Sequence, residues 1–225
     1  HAWCTQPLLR GDRTTGPRSW QANAAFLQPD YAIAHVVQPY LAGLGHKAGP
    51  LLFQFSPLDV RALGGAPRFA ERLHAFLGAL PRGPLYAVEL RNASLFTPAY
   101  RDALADLGVC HCFNVHPSMP DVAAQTRLIT PQAGPALIVR WMLHPAMGYE
   151  AAKGRYAPFD RLVDHDPLTR QRLAAMCLTA TAAGRPAFVI ANNKAEGSSP
   201  CTIQHLAEVI ARTIQSPADE MTNHV

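Results

Sequence analysis

The chain has 225 residues, 48% of them apolar and 16% charged, and 20 Lys and Arg against 16 Asp and Glu give a formal charge of +4. This composition excludes intrinsic disorder and supplies enough apolar surface for a sizeable core, while no apolar run approaches the ~20 residues of a membrane span. The basic excess forms no Lys/Arg block, so it is weak evidence for nucleic acid and compatible with a small anionic ligand.

Residues 1–29 read as an irregular, loop-rich start, and 10–30 as a surface loop. Gly11-Asp12-Arg13-Thr14-Thr15-Gly16 lacks the Lys-Ser/Thr of a phosphate loop. Residues 30–44 predict a helix that Pro39 should kink or shorten. Five apolar runs follow, at 51–55, 85–91, 109–114, 136–140 and 187–192, each introduced by a Gly or Gly-Pro turn. Runs of this length predict strands buried on both faces. Between them lie helical stripes: Phe69, Leu73, Phe76, Leu77 and Leu80; Tyr100, Leu104 and Leu107; Leu173, Cys177 and Thr181. A last stripe, Ile203, Leu206, Ile210 and Ile214, opens on Ser199 as N-cap with Pro200 at the first helical position. Residues 216–225 are expected to form a disordered tail. The alternation predicts right-handed βαβ crossovers and a parallel sheet, open or closed into a barrel, in one domain over 1–225.

Each predicted strand turns polar at its C-terminal end, where Gln54, Glu89, Arg91, Asn114, Arg140, Asn192 and Asn193 fall. Strand side chains alternate faces, so Glu89 and Arg91 share one face, as do Ile138 and Arg140, and Ile190 and Asn192. The other face must pack on apolar helices, where an unpaired charge costs several kcal/mol. The polar tips are therefore expected to turn toward the sheet interior at its mouth, where parallel α/β proteins bind ligands. A buried network in which Glu89 merely neutralises Arg91 or Arg140 is the alternative.

Three further constellations stand out. Asn192-Asn193-Lys194-Ala195-Glu196-Gly197-Ser198-Ser199 leads into the last helix. It reads either as an anion site built from Lys194, Gly197 and Ser198 at a helix N-terminus, or as an ordinary capped turn. The 141–167 connection, with His144, Tyr149, Lys153, Arg155 and Tyr156, reads as a lid, or as a short helix and turn that touch no ligand. Cys110, His111 and Cys112 alternate faces and cannot close on one ion, whereas His116, just past a strand end, could serve with Glu89 as a general base or in a His/carboxylate metal site. A divalent metal is left open. The five cysteines, an odd number, and the absence of a signal peptide predict a reducing, cytoplasmic setting.

Four of these strings resemble the YecE-like family (domain of unknown function 72): Gly49-Pro50-Leu51-Leu52-Phe53-Gln54-Phe55-Ser56-Pro57, Tyr86-Ala87-Val88-Glu89-Leu90-Arg91-Asn92-Ala93-Ser94, Val139-Arg140, and Asn192-Asn193 followed by Gly197. The resemblance implies a TIM-like (β/α) barrel, here partial: five complete strands equivalent to the fourth through eighth, and His1-Ala2-Trp3 as the tail of a third. It also implies an N-terminally incomplete member. Leu95 replaces a usual Trp, and His144 sits later than the family's His.

The expected function is hydrolase-type catalysis on a polar or phosphorylated substrate. Glu89 and His116 would be catalytic, and Gln54, Arg91, Asn114, Arg140, Asn192, Asn193, Lys194, Gly197 and Ser198 would bind substrate. A non-catalytic protein that binds nucleic acid or an anionic ligand is the alternative. Lack of the early strands would also expose sheet edges and favour self-association.

Overall fold

A computed structural model of the chain describes residues 3–10 and 20–222. After a 3-10 turn at Trp3–Thr5, strands β1 (Leu8–Arg10) and β2 (Trp20–Ala22) pair antiparallel, with Leu8 opposite Ala22. Trp3 thus belongs to a turn rather than to a strand, and a short antiparallel pair stands inside the stretch expected to be loop. His1, Ala2 and residues 11–19 lie outside the described residues.

The helix expected over 30–44 is three pieces: α1 (Pro29–Ala32), a π turn (Ile33–Val37) and α2 (Gln38–Leu44). Proline has no N–H to donate, and the wider π turn just before Pro39 absorbs the interruption. There the Gln38 N–H reaches back five residues to the Ile33 carbonyl.

Five parallel strands follow: β3 (Leu51–Gln54), β4 (Tyr86–Glu89), β5 (Cys110–Val115), β6 (Leu137–Trp141) and β7 (Ala187–Ala191). Each lies beside the next, in the order β3-β4-β5-β6-β7. Helices α3 (Gly65–Gly78), α4 (Pro98–Leu107), α5 (Val122–Leu128), α6 (Tyr149–Tyr156), α7 (Pro167–Ala182) and α8 (Ser199–Thr222) fill the connections and the end. α8 runs past residue 215, so the stretch expected as a disordered tail is helical to Thr222, and residues 223–225 lie outside the described residues.

By its contacts the chain divides into two units, His1–His111 and Cys112–Val225. In the first, α3 buries the predicted stripe of Phe69, Leu73, Phe76 and Leu77 against β3. The Phe55 ring meets Phe69, and the Phe53 ring meets Phe76, each edge-on at 5.4 Å between centroids. α4 is capped by Thr97, whose Oγ1 accepts the Tyr100 N–H at 3.3 Å.

In the second unit, α7 buries Leu173, Ala174, Met176, Cys177 and Ala180. Thr181, predicted on that stripe, is exposed and donates its hydroxyl to the Cys177 carbonyl at 2.9 Å. Ile214 of α8 is likewise exposed. Burial on both faces holds for β4 and β5 but not for β7, where Ile190 is 48% exposed. Among the described residues β7 is an end strand with one neighbour in the sheet. Among the described residues no helix is long and apolar enough to cross a membrane.

Candidate functional site

Every predicted strand-end residue sits where its strand stops. Gln54 and Glu89 end β3 and β4 and are partners in register, so they share a face. Glu89 is fully buried, and Arg91 donates to its Oε1 from both Nε and a terminal nitrogen at 2.6 Å. Next to this pair Asn92 holds Leu58 at both ends of its backbone, accepting its N–H at 2.8 Å and donating to its carbonyl at 3.0 Å. A cavity of about 830 Å³ in the same unit, lined by Phe26, Leu58, Leu63 and Arg72 among others, contains none of the predicted site residues.

In the second unit Asn114 and Arg140 are register partners on one face of the sheet, and Ile190 is the partner of Arg140 on β7. The backbone of Asn114 is clamped by Gln125, a buried side chain that sequence reasoning missed. Gln125 Oε1 accepts the Asn114 N–H at 3.2 Å, and its Nε2 donates to the Asn114 carbonyl at 2.8 Å. Cys110 and Cys112 are buried and form no disulfide, and in the first unit His111 Nδ1 lies 2.9 Å from the Tyr100 hydroxyl. Among the described residues no group of three or more His, Cys, Asp or Glu is placed to hold a metal ion.

The loop after β7 binds itself and its neighbour. Asn192 Oδ1 accepts the Lys194 N–H at 2.9 Å and Asn193 Oδ1 accepts the Ser199 N–H at 2.8 Å. Ser199 donates its hydroxyl to the Ala191 carbonyl at 2.8 Å. Because the Ser198 carbonyl accepts the Thr202 N–H, the cap of α8 is Ser198, one residue earlier than predicted.

Gly197 does permit a close approach, but to the chain itself: a Cβ there would stand 2.5 Å from the Arg161 carbonyl oxygen. The Lys194 ammonium lies 4.3 Å from the Tyr149 ring centroid and 5.9 Å from that of Phe159. Of the two readings of 141–167, the short helix is present as α6, packed through Ala152 and Tyr156 on Leu143, Met147, Phe159 and Val163.

A cavity of about 620 Å³ opens at the ends of β5 and β6, lined by His116, His144 and His165 together with Asp121, Asp166 and Arg172. Of the eleven predicted site residues it contains His116 alone. Both Asp side chains cap helices: Asp121 Oδ1 accepts the Ala124 N–H at 2.7 Å, and Asp166 Oδ1 accepts the Thr169 N–H at 3.0 Å. Ser118 N–H donates to His116 Nδ1 at 3.1 Å, and Ala146 N–H donates to His144 Nδ1 at 3.3 Å. A ring nitrogen that accepts carries no hydrogen, so in both neutral rings the proton sits on Nε2.

The Ala124 N–H holds the Asp121 carboxyl below its usual range, and hydrogen bonds from Arg155, at 2.6 and 2.7 Å, do the same for Asp164. Lowered folded-state values stabilise the fold above the unfolded value near 3.8, and that contribution is lost as pH falls through the folded values. Urea midpoints measured from pH 5 to pH 2 are therefore expected to fall below about pH 4. Asp121→Asn and Asp164→Asn should each flatten the drop, and an unchanged slope in both variants would refute the assignment.

Fold and site together define an α/β protein with a parallel five-stranded sheet, flanking helices and a cavity with three histidines in its lining at the C-terminal ends of two strands. A family profile described as "Protein of unknown function DUF72" matches residues 15–223, and the chain belongs to that family, the one its strand-end motifs resemble. Among solved structures it is similar to a DUF72 family protein from Enterococcus faecalis V583, with a TM-score of 0.57 at 16% identity, over 93% of this chain and 71% of that one. A second crystal structure of a DUF72 protein from that organism gives 0.47 at 16% identity, over 91% and 73%. At this identity the first likeness concerns the fold alone. No curated protein matches the chain.

Proposed function

We propose that the protein is a hydrolase-type enzyme acting on a polar or phosphorylated substrate at the C-terminal ends of its strands. The observation that carries this reading is the pair of imidazoles, His116 and His144, that line one cavity, each with a backbone N–H at its Nδ1 and, for His116, the Ser118 hydroxyl 2.7 Å from the same nitrogen. Two such imidazoles, donating from Nε2, with the Arg172 guanidinium suit phosphoryl or carboxylate oxygens, and donors fixed beforehand stabilise charge that develops during bond cleavage.

His116 in this tautomer offers its Nε2–H as a hydrogen-bond donor, which suits the neutral ring to stabilise charge on a phosphoryl oxygen rather than to act first as a base. Glu89 remains the candidate base by its place at the end of β4. Gln54, Arg91, Asn114, Arg140, Asn192, Asn193, Lys194, Gly197 and Ser198 remain candidates for substrate binding by their places at strand ends and in the β7–α8 loop. The five strands belong to a TIM-like (β/α) barrel. In support, every strand neighbours the next with no reversal of order, as in barrels and unlike doubly wound sheets.

Thermal shift with inorganic phosphate, and turnover of p-nitrophenyl phosphate, test the reading. Phosphate at ~100 times its Kd should stabilise the chain by about 2.7 kcal/mol. His116→Ala and His144→Ala should shrink that gain, and His116→Ala should lower turnover about 100-fold or more. If phosphate stabilises parent and variants alike, or stabilises none of them, the cavity is not the site. A single-stranded oligonucleotide that binds with a steep salt dependence, indifferent to His116→Ala, would instead favour nucleic acid.

A further inference from the structure

Glu196, inside the loop between β7 and α8, forms a buried ion pair with Arg170 in the second unit. An Arg170 terminal nitrogen donates to Glu196 Oε1, which also accepts the Asp166 N–H at 2.7 Å. The Glu196 backbone carbonyl accepts the N–H groups of Val163, at 2.7 Å, and Asp164, at 3.2 Å. Glu196 thereby fixes the segment that carries His165 and Asp166 into the cavity wall.

The pair's hydrogen-bonding capacity is not exhausted. Glu196 Oε2, Arg170 Nε and Thr202 Oγ1 are all buried without a partner among the described residues. Thr202 stands in the first turn of α8, whose cap Ser198 follows Glu196 by two positions. Orphaned polar atoms at this depth are costly and call for a ligand.

Its chemistry follows from the charges. The Glu196 and Asp166 carboxylates, with Oε2 and Oδ2 both buried without a partner among the described residues, disfavour an anion, and the Arg170 guanidinium disfavours a bare cation. Arg170 Nε and the Thr202 hydroxyl offer hydrogens while Glu196 Oε2 needs one, so the ligand must both accept and donate. We propose that an internal water occupies this position, accepting from Arg170 and Thr202 and donating to Glu196, close to the ~3 hydrogen bonds typical of buried water. Water completes the clamp on residues 163–166, whatever ligand the cavity takes.

The test turns on the sign of one substitution. In a dry site, Thr202→Val removes a hydroxyl whose bonding is unmet and stabilises its surroundings. In a hydrated site, it removes one of the water's partners and loosens them. Amide hydrogen exchange of the full chain is therefore expected to quicken roughly 2–12-fold at Val163, Asp164 and Asp166 in Thr202→Val, and to stay near the parent rate in Thr202→Ser. High-resolution diffraction should show a water between Glu196 Oε2 and Arg170 Nε. Slowed or unchanged exchange in Thr202→Val, or a direct Nε–Oε2 bond with no water, overturns the proposal. Neither readout depends on phosphate binding, so the two readings fail separately.

Discussion

Gly197→Ala is expected to destabilise the chain by roughly 2–6 kcal/mol, a large part of a typical folding free energy of about 5–15 kcal/mol. Two costs combine. Gly197 has φ +123°, where a side chain strains the backbone. The added Cβ would also stand 2.5 Å from the Arg161 carbonyl and 3.0 Å from the Val163 nitrogen, both of them backbone atoms. Neither can swing aside as a side chain would, and Val163 is already tied to Glu196 through its N–H. The control is Gly184→Ala. Gly184 has φ +71° but nothing within 4 Å of a built Cβ, so it should lose only about 1–2 kcal/mol. Urea midpoints of the two variants decide the matter. Equal losses would mean that the contact with Arg161 contributes nothing and that backbone strain alone acts.

How much of this was legible in the sequence depends on the range of the interaction that decides each feature. The five parallel strands announced themselves because an apolar run between turn residues is a local signal, and the helices on either side repeat with a period that burial imposes. The break before Pro39 could be placed but not its form, since a π turn is a choice made by backbone hydrogen bonds. β1 and β2 are three residues each, too short for an alternation to show. Ile190 reads as core from its neighbours, yet among the described residues β7 has no strand on its far side.

Site residues follow the same rule. That polar residues end each strand is written in the chain, but what they touch is not. Gly197 was legible as a close approach, and its partner proved to be Arg161, 36 positions earlier. Gln125 and Arg170 carry no motif, and Glu196 stands inside the Asn192–Ser199 stretch without a role assigned to it there. Their meaning comes from partners at separations of 11 and 26 residues that only the folded chain brings together.

Glu89→Ala is the second substitution expected to have a large effect. Glu89 is fully buried and the Arg91 side chain is 10% exposed, with two donors on one carboxylate oxygen at 2.6 Å. Removing the carboxylate leaves Arg91 buried beside an apolar methyl, and breaking a buried pair in this way costs about 3–5 kcal/mol. Replacing both partners with apolar side chains of similar volume, as in Glu89→Leu with Arg91→Met, removes the attraction and the desolvation penalty together, so most of the loss should return. A network that only neutralises charge and a strand end that does chemistry give the same stability in that double variant. They differ in p-nitrophenyl phosphate turnover, which survives in the first case and is abolished in the second, the expected result. Full turnover in a restored fold would reduce Glu89 to a structural partner of Arg91, and the search for the base would move to the carboxylates of the cavity, Asp121 and Asp166.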